Sequence, residues 1–200
     1  MKSKPIAEGK SLWVIDSPIG QIGLAEDGAG LSDLFFVRPG AGPDGASPLA
    51  EGATGAETSP SAGADVLKGA SGLWATAHLE PLLQQTPLLR EASAQISAYF
   101  AGERKTFDLP LSYRGTPFQT DDWEALLRIP YGETRSYKDI AVQIGRPRAY
   151  RAVGLANNRN PISIIIPCHR VIGQDGSLVG YGGGLTQKAF LLDLERRYSG

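Results

Sequence analysis

Short hydrophobic runs alternating with turn-forming residues open the chain. Apolar and β-branched residues concentrate at positions 12–16, 21–25 and 31–37, and the intervening positions 17–20 and 26–30 carry proline and glycine. Runs of this length, bounded by residues that favour tight turns, are typical of β-strands. The pattern predicts three short strands in a small antiparallel sheet.

The strand pattern stops at residue 38. Residues 38–72 are mostly Gly, Ala, Pro and Ser, with almost no aromatic residues. A segment of this composition buries too little apolar surface to offset the entropy that it loses on ordering. We therefore predict a long flexible insertion without a function of its own.

Helical periodicity begins after the insertion. Between residues 87 and 101 apolar side chains recur every four positions, and Gly102 ends the predicted helix, which we expect to pack on the sheet. The recurring positions are Leu88, Ala92, Ile96 and Phe100, with Leu89 and Tyr99 alongside. Thr116 is a good N-cap and Pro117 a good first residue for a second helix that extends through residue 128. Its predicted core-facing residues are Trp123, Leu126 and Leu127.

The next two predicted helices follow the helix-turn-helix plan. Ser136 is the expected N-cap of a helix that ends at Gly145, and a second helix spans residues 148–158 after a short turn. Small and basic residues share the surface of this second helix. They are Ala149, Ala152 and Gly154 with Arg148 and Arg151. Such a surface suits close contact with DNA, whereas tight packing against another helix is the alternative.

The last predicted helix, residues 186–198, carries an acidic residue on its apolar side. Glu195 falls on the stripe that also contains Leu191 and Leu194. A carboxylate in this position is costly unless it is paired, and the available partners are His169 and Lys188. A glycine-rich loop at residues 179–185 precedes the helix, and its backbone could close on a ligand.

The only cysteine of the chain follows an apolar run at residues 161–166. The run predicts a buried strand that Pro167 ends, and a helix starting after that proline would place Cys168 near its N-terminus. There the helix dipole favours thiolate over thiol, so Cys168 beside His169 is a candidate nucleophile. The alternative is a small core cysteine next to a surface histidine.

Composition narrows the class of protein. A single cysteine among 200 residues excludes an intramolecular disulfide and any zinc site that needs two cysteines of this chain. No apolar run approaches a membrane span, and no signal sequence is visible, so we expect a cytoplasmic protein. Residues 1–130 carry 10 basic and 16 acidic side chains, whereas residues 131–200 carry 10 basic and 5 acidic ones. The basic C-terminal third suggests a polyanionic partner.

Residues 116–195 resemble the O6-alkylguanine-DNA alkyltransferases (methylated-DNA–protein-cysteine methyltransferases). The shared motifs, in chain order, are Phe118-Gln119, Trp123, Ile129-Pro130-Tyr131-Gly132, Ser136-Tyr137, Arg151-Ala152-Val153-Gly154, Asn160-Pro161, Pro167-Cys168-His169-Arg170-Val171 and Gly180-Tyr181. The resemblance implies an α/β (α+β) protein with two domains. Residues 1–113 would form a small ribonuclease-H-like sheet with helices, and residues 114–200 a helix-turn-helix, winged-helix-like domain that binds DNA and accepts the alkyl group.

The resemblance also implies the roles of the reacting residues. Cys168 would take a methyl or alkyl group irreversibly from O6-alkylguanine, or from O4-alkylthymine, in flipped-out DNA. His169, linked to Cys168 through water and to Glu195 by a hydrogen bond, would accept the thiol proton. Asn160 would hold the turn before the cysteine, and Tyr137 would donate toward the guanine and help to expel it from the duplex.

Further residues would bind the DNA and the lesion. Arg151 would fill the gap left in the base stack, and the helix surface of Arg148, Ala149, Ala152 and Gly154 would face the DNA. Tyr181, Gly182, Gly183, Gly184 and Lys188 would line the pocket for the alkylated base. The implied protein is a monomer that binds double-stranded DNA, needs no cofactor, metal or protein partner, and acts once.

Two residues depart from the family pattern. Asp122 stands where an apolar residue is usual, and Tyr150 stands where a small one is usual.

Three other functions stay open. A lesion sensor that performs no reaction is one alternative, although such relatives lack the cysteine. A regulator switched by methylation of Cys168 would need a further DNA-binding domain, which is not visible. A cysteine hydrolase would need a base from elsewhere, and the only other histidine, His78, borders the insertion.

Overall fold

An antiparallel sheet forms the N-terminal half of the protein. The computed structural model describes residues 9–38, 66–68, 74–75 and 84–200. Within these residues the sheet has the order β1-β2-β3-β4-β5, and every neighbouring pair is antiparallel. The strands are β1 (Ser11–Ile15), β2 (Ile22–Glu26), β3 (Leu31–Arg38), β4 (Val66–Lys68) and β5 (Trp74–Ala75).

The three predicted strands are confirmed, but the predicted insertion is partly wrong. Residues 66–68 pair with β3 as strand β4, through the register Phe36↔Lys68 and Val37↔Leu67. This pairing depends on a distant strand, so local composition could not show it. The remaining positions of the predicted insertion, 39–65 and 69–72, lie outside the described residues.

Helix α1 (Pro87–Phe100) covers one face of the sheet. The side chain of Thr86 accepts a hydrogen bond from the Leu89 backbone and caps the helix, and a proline occupies its first turn. The buried stripe contains Leu89, Ala92, Ile96 and Tyr99, so the predicted packing on the sheet is confirmed. Leu88 and Phe100 are only partly buried. Ile22, Leu24 and Leu34 of the sheet are fully buried in the same core.

Four helices build the C-terminal half. They are α2 (Pro117–Leu127), α3 (Tyr137–Gln143), α4 (Tyr150–Asn157) and α5 (Leu185–Tyr198). Thr116 and Ser136 both form capping boxes, with Gln119 and Asp139 respectively, so the predicted starts of α2 and α3 are confirmed. Helix α4 begins at Tyr150, two residues later than predicted, and Arg148 and Ala149 precede it.

The predicted core stripe of α2 is only partly right. Trp123 and Leu126 are buried, whereas Leu127 is 41% exposed. Asp122 takes the buried position instead, and its side chain is fully enclosed. The indole of Trp123 donates a hydrogen bond to the carbonyl of Ala156, which joins α2 to α4.

The apolar run before the cysteine is buried, but it is not the predicted strand. Residues 161–166 are all buried and form a turn, in which the amide of Ile166 donates to the carbonyl of Ile162. Ile164 has a φ of 73°, in the left-handed region that β-branched residues rarely adopt. The backbone amide of Leu34 in β3 donates a hydrogen bond to the carbonyl of Pro161, so this turn attaches the sheet to the segment that carries Cys168.

A two-stranded parallel pair brings distant segments of the chain together. Strand β6 (Arg135–Ser136) pairs with β7 (Val171–Ile172). Tyr137 follows β6 directly, and Cys168 stands three residues before β7. The pairing therefore places the start of α3 beside the cysteine segment. Among the residues described, no helix is long and apolar enough to cross a membrane.

Candidate active site

Cys168 is a buried thiol rather than a preformed thiolate. It opens a 3₁₀ turn of three residues, Cys168–Arg170, directly after Pro167, and is only 5% exposed. Burial raises the pKa of Cys168 to about 11, although a hydrogen bond with Asn160 and the charge of Lys188 lower it in part. The expectation of a thiolate favoured by a helix dipole is therefore wrong, because this turn is too short to build a large dipole and desolvation dominates.

A buried ionic cluster stands behind the cysteine. Oε1 of Glu195 lies 2.8 Å from Nε2 of His169, and Nε of Arg170 donates to Oε2 of the same carboxylate at 2.9 Å. Burial alone would raise the pKa of Glu195, but its hydrogen bonds and charge interactions with His169 and Arg170 lower that pKa to about 2. Glu195 is therefore ionised, and it accepts further hydrogen bonds from the Tyr99 hydroxyl and the Gly132 amide.

His169 has one ring nitrogen free to accept a proton. The side chain is fully buried, and burial lowers its pKa although Glu195 acts in the opposite direction. Because Glu195 is ionised, the Nε2–H of a neutral imidazole donates to it, and Nδ1 then carries a lone pair. Within the described part of the chain, Nδ1 has no hydrogen-bond partner. The residue next to the thiol is thus a neutral base with an unused acceptor.

Sequence reasoning found only part of this cluster. Of the two expected partners of Glu195, the structure places His169 against it and Lys188 elsewhere. Arg170, Tyr99 and the Gly132 backbone were missed. The position of Arg170 directly after His169 could have indicated this ion pair, because a buried carboxylate needs a charged partner as well as a neutral imidazole. Tyr99 comes from α1, and nothing in the local sequence indicates that it reaches α5.

Tyr137 and Lys188 meet at the backbone of the glycine-rich loop. The Tyr137 hydroxyl donates to the carbonyl of Val179 at 2.8 Å, and Nζ of Lys188 donates to the carbonyls of Val179 at 2.9 Å and Val171 at 2.6 Å. Burial raises the pKa of Tyr137 to about 12, and the nearby Cys168 contributes. Burial lowers the pKa of Lys188 to about 8. Tyr137 is therefore a protonated phenol at neutral pH and a candidate proton donor.

The glycine-rich loop packs against the N-terminal sheet. A side-chain carbon at Gly183 would lie 2.5 Å from the Phe36 ring of β3, so this contact requires glycine. The Tyr181 ring meets Phe36 edge-on, with centroids 6.0 Å apart. Burial and the neighbouring Cys168 and Glu195 raise the pKa of Tyr181 well above its usual range. Gly182 is exposed, and Gly184 is the N-cap of α5 with a φ of 101°.

Asn160 links the turn that precedes the cysteine. Its Nδ2 donates to the carbonyl of Ile166 at 2.7 Å, and its Oδ1 accepts from the amide of Ile162 at 3.0 Å. The side chain is fully buried and also contacts Cys168. Asn160 therefore connects the end of α4 to the segment that carries Cys168.

The small and basic residues of α4 lie on its outer side. Arg148 and Arg151 are exposed, and Ala149, Ala152 and Gly154 are half-buried. The core contacts of the helix come from Val153 and Ala156 instead. A side-chain carbon at Gly154 would make only ordinary contact with Tyr137, at 3.7 Å. Internal packing therefore does not require glycine at position 154.

The described residues contain no group of three or more His, Cys, Asp or Glu side chains that could hold a metal ion. The chemistry that this arrangement supports is nucleophilic attack by a cysteine. A neutral base stands next to the thiol, an ionised carboxylate orients that base, and a phenol and a buried amine stand at the adjoining loop.

Comparison with known proteins places this arrangement in one family. Residues 117–197 match the model of the 6-O-methylguanine DNA methyltransferase DNA-binding domain, and residues 62–113 match that of its ribonuclease-like domain. A methylated-DNA–protein-cysteine methyltransferase of Methanosarcina barkeri is 48% identical over 182 residues, which cover 91% of this chain and 94% of the relative. The constitutive enzyme of that name from Bacillus subtilis is 61% identical over 114 residues, covering 56% of this chain and 69% of the relative.

Solved structures agree with the sequence comparison. The crystal structure of Mycobacterium tuberculosis OGT in complex with DNA shares 41% sequence identity with this chain, with a TM-score of 0.70 over 94% of each chain. Fold and site thus define a protein with a small antiparallel sheet, a helical C-terminal half and a buried cysteine beside a helix-turn-helix. The chain belongs to the methylated-DNA–protein-cysteine methyltransferase family.

Proposed function

We propose that this chain repairs DNA by direct reversal, transferring the alkyl group of O6-alkylguanine to its own Cys168. The bond between the alkyl carbon and guanine O6 breaks as a bond from that carbon to Sγ forms. The thiol proton leaves to a base, and the departing guanine is protonated. The observation that carries this proposal is the buried thiol next to a neutral imidazole whose Nδ1 is unpaired and whose Nε2 is held by Glu195.

Activation of the thiol needs that base. Because the pKa of Cys168 is about 11, only a trace of thiolate exists at neutral pH. His169 takes the thiol proton at Nδ1, and a bridging water carries the proton from Sγ to Nδ1. The ionised Glu195 then stabilises the resulting imidazolium. The same burial that suppresses the resting thiolate makes it a poorly solvated and strong nucleophile once it forms.

The leaving group needs an acid. Guanine leaves poorly as an anion, so an acid must donate to it as it departs. Tyr137 is the candidate acid, because burial keeps its phenol protonated at neutral pH. Its hydroxyl binds the Val179 carbonyl in this structure and must turn toward the base when the lesion enters. Lys188, which binds the same carbonyl, keeps that loop in place and adds a positive charge near the thiolate.

The lesion must leave the duplex to reach the thiol. Cys168 is buried, and a stacked base hides its O6 substituent, so nucleotide flipping is required. We assign the exposed Arg151 to the gap left in the stack, and the outer side of α4 to the DNA. Double-stranded DNA is then the partner, bound by a monomer. The pocket would be built by Tyr181 and the residues of the glycine-rich loop.

The reaction uses up the protein. A thioether at Cys168 is not hydrolysed by water, so each molecule acts once, without a cofactor. O4-alkylthymine is a further candidate substrate. A cytoplasmic location, with binding to the chromosome, fits such a role.

The proposal is tested by incubating the chain with a duplex that contains O6-methylguanine and measuring the guanine restored. Cys168→Ser is the matched control, because it keeps the shape of the site and removes the sulfur. We expect complete repair up to one lesion per protein molecule and none with the variant. Repair by Cys168→Ser, or more than one lesion repaired per molecule, would overturn the proposal.

A further inference from the structure

Tyr150 is an aromatic residue exposed on the helix assigned to DNA. It is the first residue of α4, and its side chain is 46% exposed. The guanidinium carbon of Arg151 lies 5.7 Å from the centroid of the Tyr150 ring, within reach of a cation–π contact. The ring therefore contacts a side chain of its own helix, and a large part of its surface remains exposed to solvent.

The ring of Tyr150 borders a groove of about 700 Å³. This volume lies in the range of sites for small organic ligands and would accommodate one nucleotide. Tyr137 and Pro147 form further apolar walls, and Lys138 and Arg148 add positive charge. No ion pair engages either of these two basic residues within the described ranges. The lining thus combines aromatic rings with free cations, the combination that binds single-stranded nucleic acid.

The groove adjoins the active site. Tyr137 lines it and is also close enough to Cys168 for the cysteine to raise the pKa of the Tyr137 hydroxyl. A nucleotide that approaches the thiol past Tyr137 would therefore lie beside the groove that Tyr150 borders. Arg151, on the same helix turn, is the side chain assigned to the vacated stack.

We propose that Tyr150 is a nucleobase-stacking residue, which covers the face of a base that loses its neighbour when the lesion leaves the duplex. The inference rests on the proposed function. Arg151 braces the ring from its side, and Lys138 and Arg148 neutralise the nearby phosphates. The stacked base is either the partner of the lesion or a base beside the lesion on the same strand. Both present the same chemistry, an aromatic face without a stacking partner.

Stacking predicts a particular order among substitutions. Tyr150→Phe keeps the aromatic ring, Tyr150→Leu keeps apolar bulk without it, and Tyr150→Ala removes both. Stacking on one base is expected to change duplex affinity by roughly tenfold. We therefore expect Phe to bind as the wild type does, and Leu and Ala to bind lesion-containing duplex about tenfold more weakly. Thermal unfolding should be unchanged in all three, because the side chain is exposed.

The assay compares affinity and single-turnover rate on an O6-methylguanine duplex with the rate on free O6-benzylguanine. The free base needs no flipping, so its reaction should be equal in all four proteins. If the wild type neither repairs the duplex nor consumes the free base, the proposed function itself has failed. If it is consumed equally while Tyr150→Ala binds duplex as tightly as the wild type, or more tightly, only the stacking role is overturned. A Leu variant equal to wild type would overturn it as well.

A fluorescent base identifies which nucleobase is stacked. The analogue 2-aminopurine is placed opposite the lesion in one duplex and beside it in two others. Quenching that occurs with the wild type and Tyr150→Phe but is lost with Tyr150→Ala marks the stacked position. Fluorescence that is the same with Tyr150→Ala as with the wild type at all three positions would refute the proposal.

Discussion

Replacing Asp122 should stabilise the protein, increasingly so as the pH rises from 4 to 7. The carboxyl group is fully buried on α2, and within the described residues neither of its oxygens has a hydrogen-bond partner. Burial raises the pKa of Asp122 from its usual 3.8 to about 7. Its charge also acts on the active site, since it raises the pKa of both Cys168 and Tyr137.

The size of the effect follows from the pKa difference. Between about pH 4 and pH 7 the unfolded chain has released the proton of Asp122 while the folded protein still holds it. Folding is therefore disfavoured by a growing amount as the pH rises, and the loss stops once the folded state also ionises, above about pH 7. A difference of about three pKa units corresponds to about 4 kcal/mol.

Urea unfolding at a series of pH values measures this loss. Asp122→Val, which removes the buried charge, should become more stable than the wild type by up to about 4 kcal/mol as the pH passes from 4 to 7.5. Asp122→Asn should follow a parallel profile at lower stability, because its amide stays unpaired. Asp121→Asn is the matched control. Its carboxyl group is exposed to solvent and lies 3.7 Å from the guanidinium of Arg146, so its replacement should leave the stability of the protein nearly unchanged.

A constant difference between wild type and Asp122→Val across this pH range would refute the reasoning. It would mean that Asp122 ionises in the folded state as easily as in the unfolded one, so that water or a partner reaches the carboxyl group.

Three further predictions concern the site. Glu195→Gln should slow alkyl transfer at neutral pH tenfold or more, with recovery at high pH, and should destabilise the fold by about 3–5 kcal/mol because Arg170 loses its counter-ion. Superimposable single-turnover pH–rate profiles would contradict it. Arg151→Ala should slow repair of duplex DNA far more than reaction with free O6-benzylguanine, and equal losses would exclude a role in extrusion. Gly183→Ala should cost about 1–3 kcal/mol in urea unfolding because its methyl group meets Phe36, and unchanged stability would contradict that contact.

Most of the secondary structure could be predicted from local sequence patterns. The capping residues Thr116 and Ser136 marked the starts of their helices because a side chain hydrogen-bonds a backbone amide three residues ahead. Short hydrophobic runs bounded by turn-forming residues predicted β1, β2 and β3. Strand β4 escaped prediction because its identity depends on pairing with β3 rather than on its own composition. The turn at Ile164 also escaped, because a run of β-branched residues favours a strand until tertiary contacts impose a left-handed backbone.

Some members of the site could be predicted from the sequence, but its electrostatics could not. The resemblance named Cys168, His169 and Glu195, and their roles stay predictions until tested. The state of the thiol was predicted wrongly, because a helix dipole can be inferred from sequence position whereas burial cannot. Arg170 was missed for a related reason. Its ion pair with Glu195 forms between a 3₁₀ turn and α5, and only the folded chain brings them together.

The central claim is that Cys168 accepts one alkyl group and accepts it permanently. Intact-mass measurement, followed by peptide mapping, after incubation with excess O6-methylguanine duplex tests this claim most directly. We expect every protein molecule to gain one methyl group on the peptide containing Cys168, and Cys168→Ser to gain none. A methyl group on any other residue, or an unmodified protein after the lesion has been repaired, would contradict it.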